Sequence, residues 1–481
     1  MTERPAGPGP AGPHSSAEDG AKHDRLVRGL GPWAAASLTV GTIIGTGVFL
    51  KAGVMAQLGG SAVWVLAAWA VAGVLSFTGA MTYAELGGMY PHAGGEYVYL
   101  RRGYGPLMGY LYAWNRFWIV TPGAIAAYAV GSATFLAPVI GTDGGSVPLA
   151  LALIAGFTAI NCLNVRAGGT LQTVLTVMKV LMILAIGLGA LFASSGDWSR
   201  VTASGEFPGA GAFGALVLAA LWAYDGWNNL PMAAGEVRDP ARNLPRAIVG
   251  GALGVLAIYA LVNVGYFRSL PFGEIVTASS TKYPDAPSVA QKAATTFLGG
   301  PASALLAIAM TVSAVSAMNG SMLTGARVPY AVSRDGLAPR FLSKLNAARV
   351  PAVAVVVQGA LACVFALSAR FDQLTDAVVF ASWLFYALNA GSVLRLRRRV
   401  PDHPRPFRVP GFPVVPVVFV VLATLLLVNT VVTAPAPSAL GLGMTAVGAL
   451  VYLGHYRRPV SLATKRNGDH HEGIESQGDR T

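Results

Sequence analysis

Charge is scarce in this chain of 481 residues: Lys, Arg, Asp and Glu make up 12% of it while 54% is apolar. Soluble domains carry roughly a quarter of their residues as charges, so an ordinary cytosolic enzyme and a disordered chain are both excluded. Cysteine is scarcer still. Cys162 and Cys363 both sit inside apolar runs and belong to no CxxC or Cys/His pattern, which argues against a disulfide scaffold, a zinc site or any other metal centre. Histidine is missing from the interior, because His14, His23, His92, His403, His455, His470 and His471 fall in tails, in loops or at a run end. The usual switch for physiological pH is therefore absent from the apolar body. Paired acids, a metal cluster or an activated Ser or Cys within the apolar runs are absent too, so no enzyme and no cofactor is implied. A net charge of +12 does not indicate nucleic-acid binding, since the basic residues are dispersed in short clusters between apolar runs.

What the chain has in abundance is apolar stretches long enough to cross a bilayer, about 20 residues at 1.5 Å rise each. Twelve are counted: 33–55, 62–84, 107–136, 148–165, 170–194, 211–235, 247–270, 297–332, 352–368, 374–394, 411–433 and 438–456. Such long continuous runs exclude an outer-membrane barrel, which is built from short alternating segments. The expected fold class is thus an all-α membrane protein with twelve transmembrane helices. Residues 1–30, rich in Pro, Gly and charge, read as a disordered tail and not as a cleaved signal; 31–456 form the twelve-span domain, and 457–481 a second tail. An even number of spans puts both termini on one side. That side collects 25 of the 34 Lys and Arg, the other collects six, and Arg116, Lys179 and Arg327 lie within runs, so the termini are expected in the cytoplasm.

The first and sixth runs violate the rules of a good helix at matching places. Gly41-Thr42-Ile43-Ile44-Gly45-Thr46-Gly47 puts three glycines and two hydroxyls mid-run, each glycine costing roughly 1 kcal/mol of helix relative to Ala. Tyr224-Asp225-Gly226-Trp227-Asn228-Asn229 puts a carboxylate, a glycine and two amides into the sixth. Free backbone groups at membrane depth persist only where they line a cavity or a ligand. Two interruptions five spans apart predict a five-plus-five inverted repeat (repeat one about 33–194, repeat two about 211–394, two extra helices over 411–456) with a binding site where the broken helices meet. There a half-helix N-terminus offers N–H groups to a carboxylate, and unwound carbonyls accept from an ammonium. Close helix packing through small residues is the competing reading of Gly45 and Gly47 taken alone.

Several motifs in order carry a resemblance. Gly41 to Phe49, Tyr83-Ala84-Glu85-Leu86 through Pro91-His92-Ala93-Gly94-Gly95-Glu96-Tyr97, Trp222 to Asn228 with Gly235-Glu236-Val237-Arg238-Asp239-Pro240, Asn319-Gly320-Ser321 through Arg334-Asp335-Gly336, and Arg405-Pro406-Phe407-Arg408 together resemble the amino acid–polyamine–organocation permeases. Within them the likeness is to the L-type amino acid transporter branch and its bacterial relatives. It implies a LeuT-type fold with discontinuous helices one and six, working by alternating access. Gly45, Thr46 and Gly47 then match the donors to the substrate carboxylate and Ile43 a carbonyl for its ammonium. Trp222 matches an outer gate, the carbonyls of Trp222 and Asp225 further ammonium contacts, and Asn228 and Ser382 the flanks of the side-chain pocket.

Lys179 lies twelve residues into its run, too deep to snorkel, where a lysine costs a few kcal/mol and faces the bundle interior. The resemblance implies that it stands where relatives place a sodium ion, with Ser316, or a neighbour such as Ser313, as hydroxyl partner; a structural pairing with an acid is the alternative. Asp225 could meet a cationic substrate side chain, close a gate, titrate with a proton, or simply cap the half-helix that follows. Arg116 and Arg327 read as structural. These features imply a sodium-independent permease for L-amino acids, with exchange favoured over proton symport and a non-transporting sensor as a more distant reading. The animal relatives carry a cysteine in the loop after the third span, joined to a glycoprotein. Here the loop around Gly141 to Val147 has none, so no disulfide-linked heavy subunit is expected; the partners are the substrate and the bilayer, and the chain should work alone or as a homo-oligomer.

Overall fold

The computed structural model describes residues 26–456 except 142–145, 281, 284–285, 368–370 and 434. Most of both tails and the middle of the Gly141–Val147 loop therefore lie outside the described residues. What is described is helical, and the one β-type pairing is an isolated bridge between Leu30 and Val237.

The first apolar run is two helices, α1 (Pro32–Ile43) and α2 (Gly47–Gly59). Pro32 starts α1 where its missing N–H costs nothing. The unbroken α3 (Ala62–Met89) follows, then a short α4 (Glu96–Tyr104). The third run consists of α5 (Pro106–Asn115), a π-helical turn at Arg116–Val120, and α6 (Thr121–Ile140). Pro122 explains the turn: it has no N–H for the i−4 carbonyl, and the amide of Thr121 bonds instead to Arg116, five residues back. After α7 (Ser146–Leu163) comes α8 (Val165–Phe192), whose first turn is capped by Asn164 Oδ1 accepting from the Ala167 amide at 2.7 Å. The sixth run is α9 (Ala210–Ala223), a stretch of turns, and the single turn α10 (Asn229–Met232). Then follow α11 (Pro240–Ser269), α12 (Ala302–Gly325), α13 (Arg327–Arg334), α14 (Ala352–Leu367), α15 (Phe371–Arg399), α16 (Val414–Thr433) and α17 (Pro435–Val451).

Eight of the described helical segments are long and apolar enough to cross a membrane, and Val147–Leu163, Ala210–Ala223 and Ala352–Leu367 are shorter apolar helices. Their outer faces carry the apolar exposure a bilayer would cover: Leu181, Phe192, Leu425 and Leu450 are all more than half exposed. The core places α1 at the centre, against α8, α11 and α12. Two buried carboxylates inside this body are held by forked ion pairs. Arg327 Nε and Nη2 donate to Glu236 at 2.6 and 2.8 Å, and Arg397 meets Glu85 in the same forked manner at 2.8 and 2.6 Å. Such bidentate geometry recovers part of the desolvation cost of burying both ions. Arg327 is thus structural, as its sequence context suggested.

Candidate substrate site at two helix breaks

At the first break α1 ends when Ile44 turns extended, its amide still bonded to Val40 O at 2.9 Å, and α2 restarts at Gly47. No side chain caps α2, whose N-cap is Thr46, so the leading amides of this half-helix have no side-chain partner. At the second break α9 stops at Ala223 and the chain passes through Tyr224–Asn228 before α10. Gly226 sits there at φ 121°, a conformation open to glycine and hardly to any other residue.

The two breaks touch. Thr42 Oγ1 lies 2.9 Å from Gly226 O, and Tyr259 Oη from α11 stands between them, 3.0 Å from Ala223 O and 3.4 Å from Ile43 O. Approach is backbone-close: a Cβ added to Gly47 would be 2.7 Å from Ala223 Cβ and 2.9 Å from its Cα, and one on Gly226 would be 2.5 Å from Thr42 O. The glycines serve this contact between breaks, which is a use neither a continuous helix nor a small-residue stripe requires.

Lys179 closes the first break from the side. Its ammonium donates to Ile44 O at 2.6 Å, Gly41 O at 2.8 Å and Ser313 O at 3.0 Å, and the side chain is fully buried. Three protons meet three carbonyls, two of them at the C-terminal end of α1 where the helix dipole favours a cation. Among the described residues no acid is paired with it. Ser316 is not its partner: that hydroxyl lies 3.2 Å from Gln172 Nε2 and 3.4 Å from Thr176 Oγ1. Ser313, three residues earlier on α12, reaches the break, its carbonyl accepting from Lys179 and its hydroxyl lying 2.9 Å from Gly45 O and 3.1 Å from Ile44 O. The two serines share a helix face one turn apart, and only the earlier one is level with the lysine.

A cavity beside the second break is lined by Trp222, Asp225, Asn228 and Ser382 among the sequence-selected residues, together with Arg116, Tyr128, Asn229 and Ser321. Ile43, Gly45, Thr46 and Gly47 do not line it; the ring of Tyr128, which does, would be 3.7 Å from a Cβ on Gly45. Asp225 does not cap α10, whose N-cap is Asn228 and which has no side-chain cap. Its carboxylate faces the cavity and accepts from Tyr386 Oη at 2.9 Å. Arg116 is buried and held by a neighbouring side chain. The π turn brings it into the cavity wall, where Nη2 donates to Asn229 Oδ1 at 2.5 Å. Below lies Glu96, fully buried, accepting from Tyr83 at 2.5 Å and from Tyr112, with Asn228 Nδ2 at 3.5 Å. Trp227, just past Gly226, packs its ring edge-on to Tyr83 at 4.7 Å and near Tyr386 and Phe419. Sequence reasoning passed over Tyr128, Tyr259, Tyr386 and Glu96. A tyrosine in an apolar run carries no mark that distinguishes a bridging hydroxyl from core packing. Among the described residues no group of three His, Cys, Asp or Glu could hold a metal ion.

Two discontinuous helices meeting beside a polar cavity, inside a body of long apolar helices, define a helical membrane transporter. The profile of the amino acid permease family matches residues 30–453, and the chain belongs to that family, within the amino acid–polyamine–organocation superfamily and related to its L-type branch. These are transporters, not enzymes. The chain is 32% identical over 441 residues to the serine/threonine exchanger SteT of Bacillus subtilis, covering 91% of this chain and 98% of that protein. It is also 32% identical over 428 residues to the human b(0,+)-type amino acid transporter 1, covering 86% and 85%. With the human cystine/glutamate transporter the identity is 29% over 439 residues, covering 89% and 84%.

Proposed function

We propose that this protein is a sodium-independent permease that exchanges L-amino acids across the cytoplasmic membrane by alternating access. The proposed body has twelve spans over 31–456, a LeuT-type inverted repeat of about 33–194 and 211–394, and two further helices at 411–456, with both tails cytoplasmic. The substrate carboxylate is held by the amides of Gly45, Thr46 and Gly47, its ammonium by the carbonyls of Ile43, Trp222 and Asp225, and its side chain between Asn228 and Ser382. The observation that carries the reading is the uncapped start of α2 lying against the turn that follows α9. A zwitterion supplies both complements at once, an anion for the N-terminus and a cation for the carbonyls.

Sodium independence is supported by Lys179, whose ammonium takes the carbonyl oxygens a sodium ion would need. Exchange is supported by the naming of SteT as an exchanger. With no cysteine in the sequence around Gly141 to Val147, the protein is proposed to work without a disulfide-linked subunit, alone or as a homo-oligomer.

The test is counterflow in proteoliposomes with a panel of labelled amino acids. Exchange requires uptake only into vesicles preloaded with amino acid, unchanged when choline replaces sodium. Uptake into empty vesicles driven by an acidic outside would make it a proton symporter, and binding without uptake a sensor. In the same assay Asp225→Asn keeps an acceptor for Tyr386 and loses only the charge, so it is expected to lose cationic substrates and retain neutral ones.

A further inference from the structure

A second cavity, of ≈ 340 Å³, shares no lining residue with the substrate cavity. Its walls come from α5, the π turn after it, α13, α14, the end of α17 and the loop of Leu337 to Leu342. Among the described lining residues none is charged, and six are aromatic: Tyr110, Trp114, Phe117, Trp118, Phe341 and Tyr456. Tyr110, Trp114 and Trp118 follow one another four residues apart, with ring centroids 6.1 and 5.7 Å apart, and Tyr456 stands 5.5 Å from Tyr110. Trp118 and Phe341 are 39% and 48% exposed. Ligand pockets of about 300–1,000 Å³ are lined in this way, mostly by apolar and aromatic side chains.

The proposed topology puts the start of α5 and the end of the last span on the cytoplasmic side, so the cavity lies at the depth of the inner leaflet. Arg340, set between the lining residues Pro339 and Phe341, and Lys344 are both exposed on the loop that leads to α14. In the sequence Arg457 and Arg458 follow Tyr456 directly. An apolar cavity with a basic rim complements an acyl chain that ends in an anionic headgroup. A plain aromatic belt needs Trp and Tyr at the interface but no cavity among them.

The two cavities also share a wall. Within the π turn Arg116 and Val120 line the substrate cavity, whereas Phe117 and Trp118 line the apolar one. A chain packed against those two rings therefore bears on the turn that sets Arg116 beside Asn229. π turns inside α-helices are frequent at functional sites, and this one separates a polar cavity from an apolar one.

We propose that the apolar cavity binds an acyl chain of an anionic phospholipid from the cytoplasmic leaflet, with its phosphate at Arg340 and Lys344, and that the bound lipid sets the rate of exchange through the π turn. The effect on rate rests on the transport reading given above; occupancy of the cavity does not.

The experiment uses the full-length protein. Lipid retention is read by native mass spectrometry of protein delipidated in detergent and offered phosphatidylglycerol or phosphatidylcholine, and exchange is read in phosphatidylcholine vesicles with and without phosphatidylglycerol. Expected are selective retention of phosphatidylglycerol and exchange about fivefold faster in its presence, the size of a modest coupling between sites. Ala338→Phe fills the cavity, and R340Q/K344Q removes the charge at its rim. Both should lose the retained lipid and the acceleration while keeping the exchange rate of pure phosphatidylcholine vesicles. The control R398Q/R399Q, at the end of α15, should keep all three. Should Ala338→Phe fail to fold, R340Q/K344Q decides alone. Equal retention of the two lipids, undiminished retention in R340Q/K344Q, or an equal loss in the control pair overturns the proposal. Selective retention without exchange in any vesicle would instead count against the transport reading and leave the lipid site standing.

Discussion

The first break is short, and its carbonyls are claimed by a cation: Lys179 takes Gly41 and Ile44, and Ser313 lies against Ile44 and Gly45. The second runs from Tyr224 to Asn228 and carries its own carboxylate; the neutral hydroxyl of Thr42 meets Gly226 O within it, and that of Tyr259 meets Ala223 O at its edge. One break is clamped from outside, with only its leading amides left over. The other is held lightly and opens onto a cavity of polar side chains. The contrast separates two tasks. A site that recognises the head common to every amino acid needs fixed backbone, whereas the part that meets the variable side chain needs room and chemical variety.

Substitutions that break the contrast should rank by how much backbone they displace. Gly47→Leu ranks first, because even its Cβ would overlap the backbone of Ala223, which cannot turn aside. Overpacking of this kind costs about 1–3 kcal/mol in ordinary cores, and here it forces the breaks apart; binding of labelled substrate should be abolished. Lys179→Ala follows. It takes the ammonium from the carbonyls of Gly41, Ile44 and Ser313, leaving Ile44 only the Ser313 hydroxyl, at about 1–3 kcal/mol for each carbonyl that stays buried and unpaired. Exchange should fall by more than about tenfold with membrane insertion intact, and wild-type rates would remove the lysine from its proposed place.

Tyr259→Phe deletes the hydroxyl between Ile43 and Ala223 and leaves the ring. A loss of about 1 kcal/mol, or roughly fivefold in substrate affinity by equilibrium binding, is expected. The smallest effects sharpen the first break. Ser313→Ala should slow exchange by a similar factor, and Ser316→Ala should barely change it, since only Ser313 reaches the interruption. Equal effects from the two serines would mean that the clamp extends a turn further than its geometry implies.

Both breaks and the lysine were legible in the sequence because each offends against its surroundings: glycines, hydroxyls, amides and an ammonium are costly within an apolar run. The bridging tyrosines offend against nothing, and so gave no signal. Arg116 was conspicuous but its place was not, since a π turn caused by Pro122 rotates it in a way that a period of 3.6 residues does not foresee. Ser313 and Ser316 fall on one face of one helix, and choosing between them takes the axial height of Lys179, which only packing supplies. Glu96 lies outside the long apolar runs, where an acid is unremarkable; burial against Tyr83 and Tyr112 is what sets it apart.

Trp227 sits next to Gly226, enclosed at 2% exposure by Tyr83, Tyr386 and Phe419. Any rocking of the broken sixth helix must change what surrounds that indole, and indole emission is sensitive to polarity. With the other eight tryptophans replaced, the chain would carry a native optical reporter, and its turnover could be followed in real time without attaching a dye.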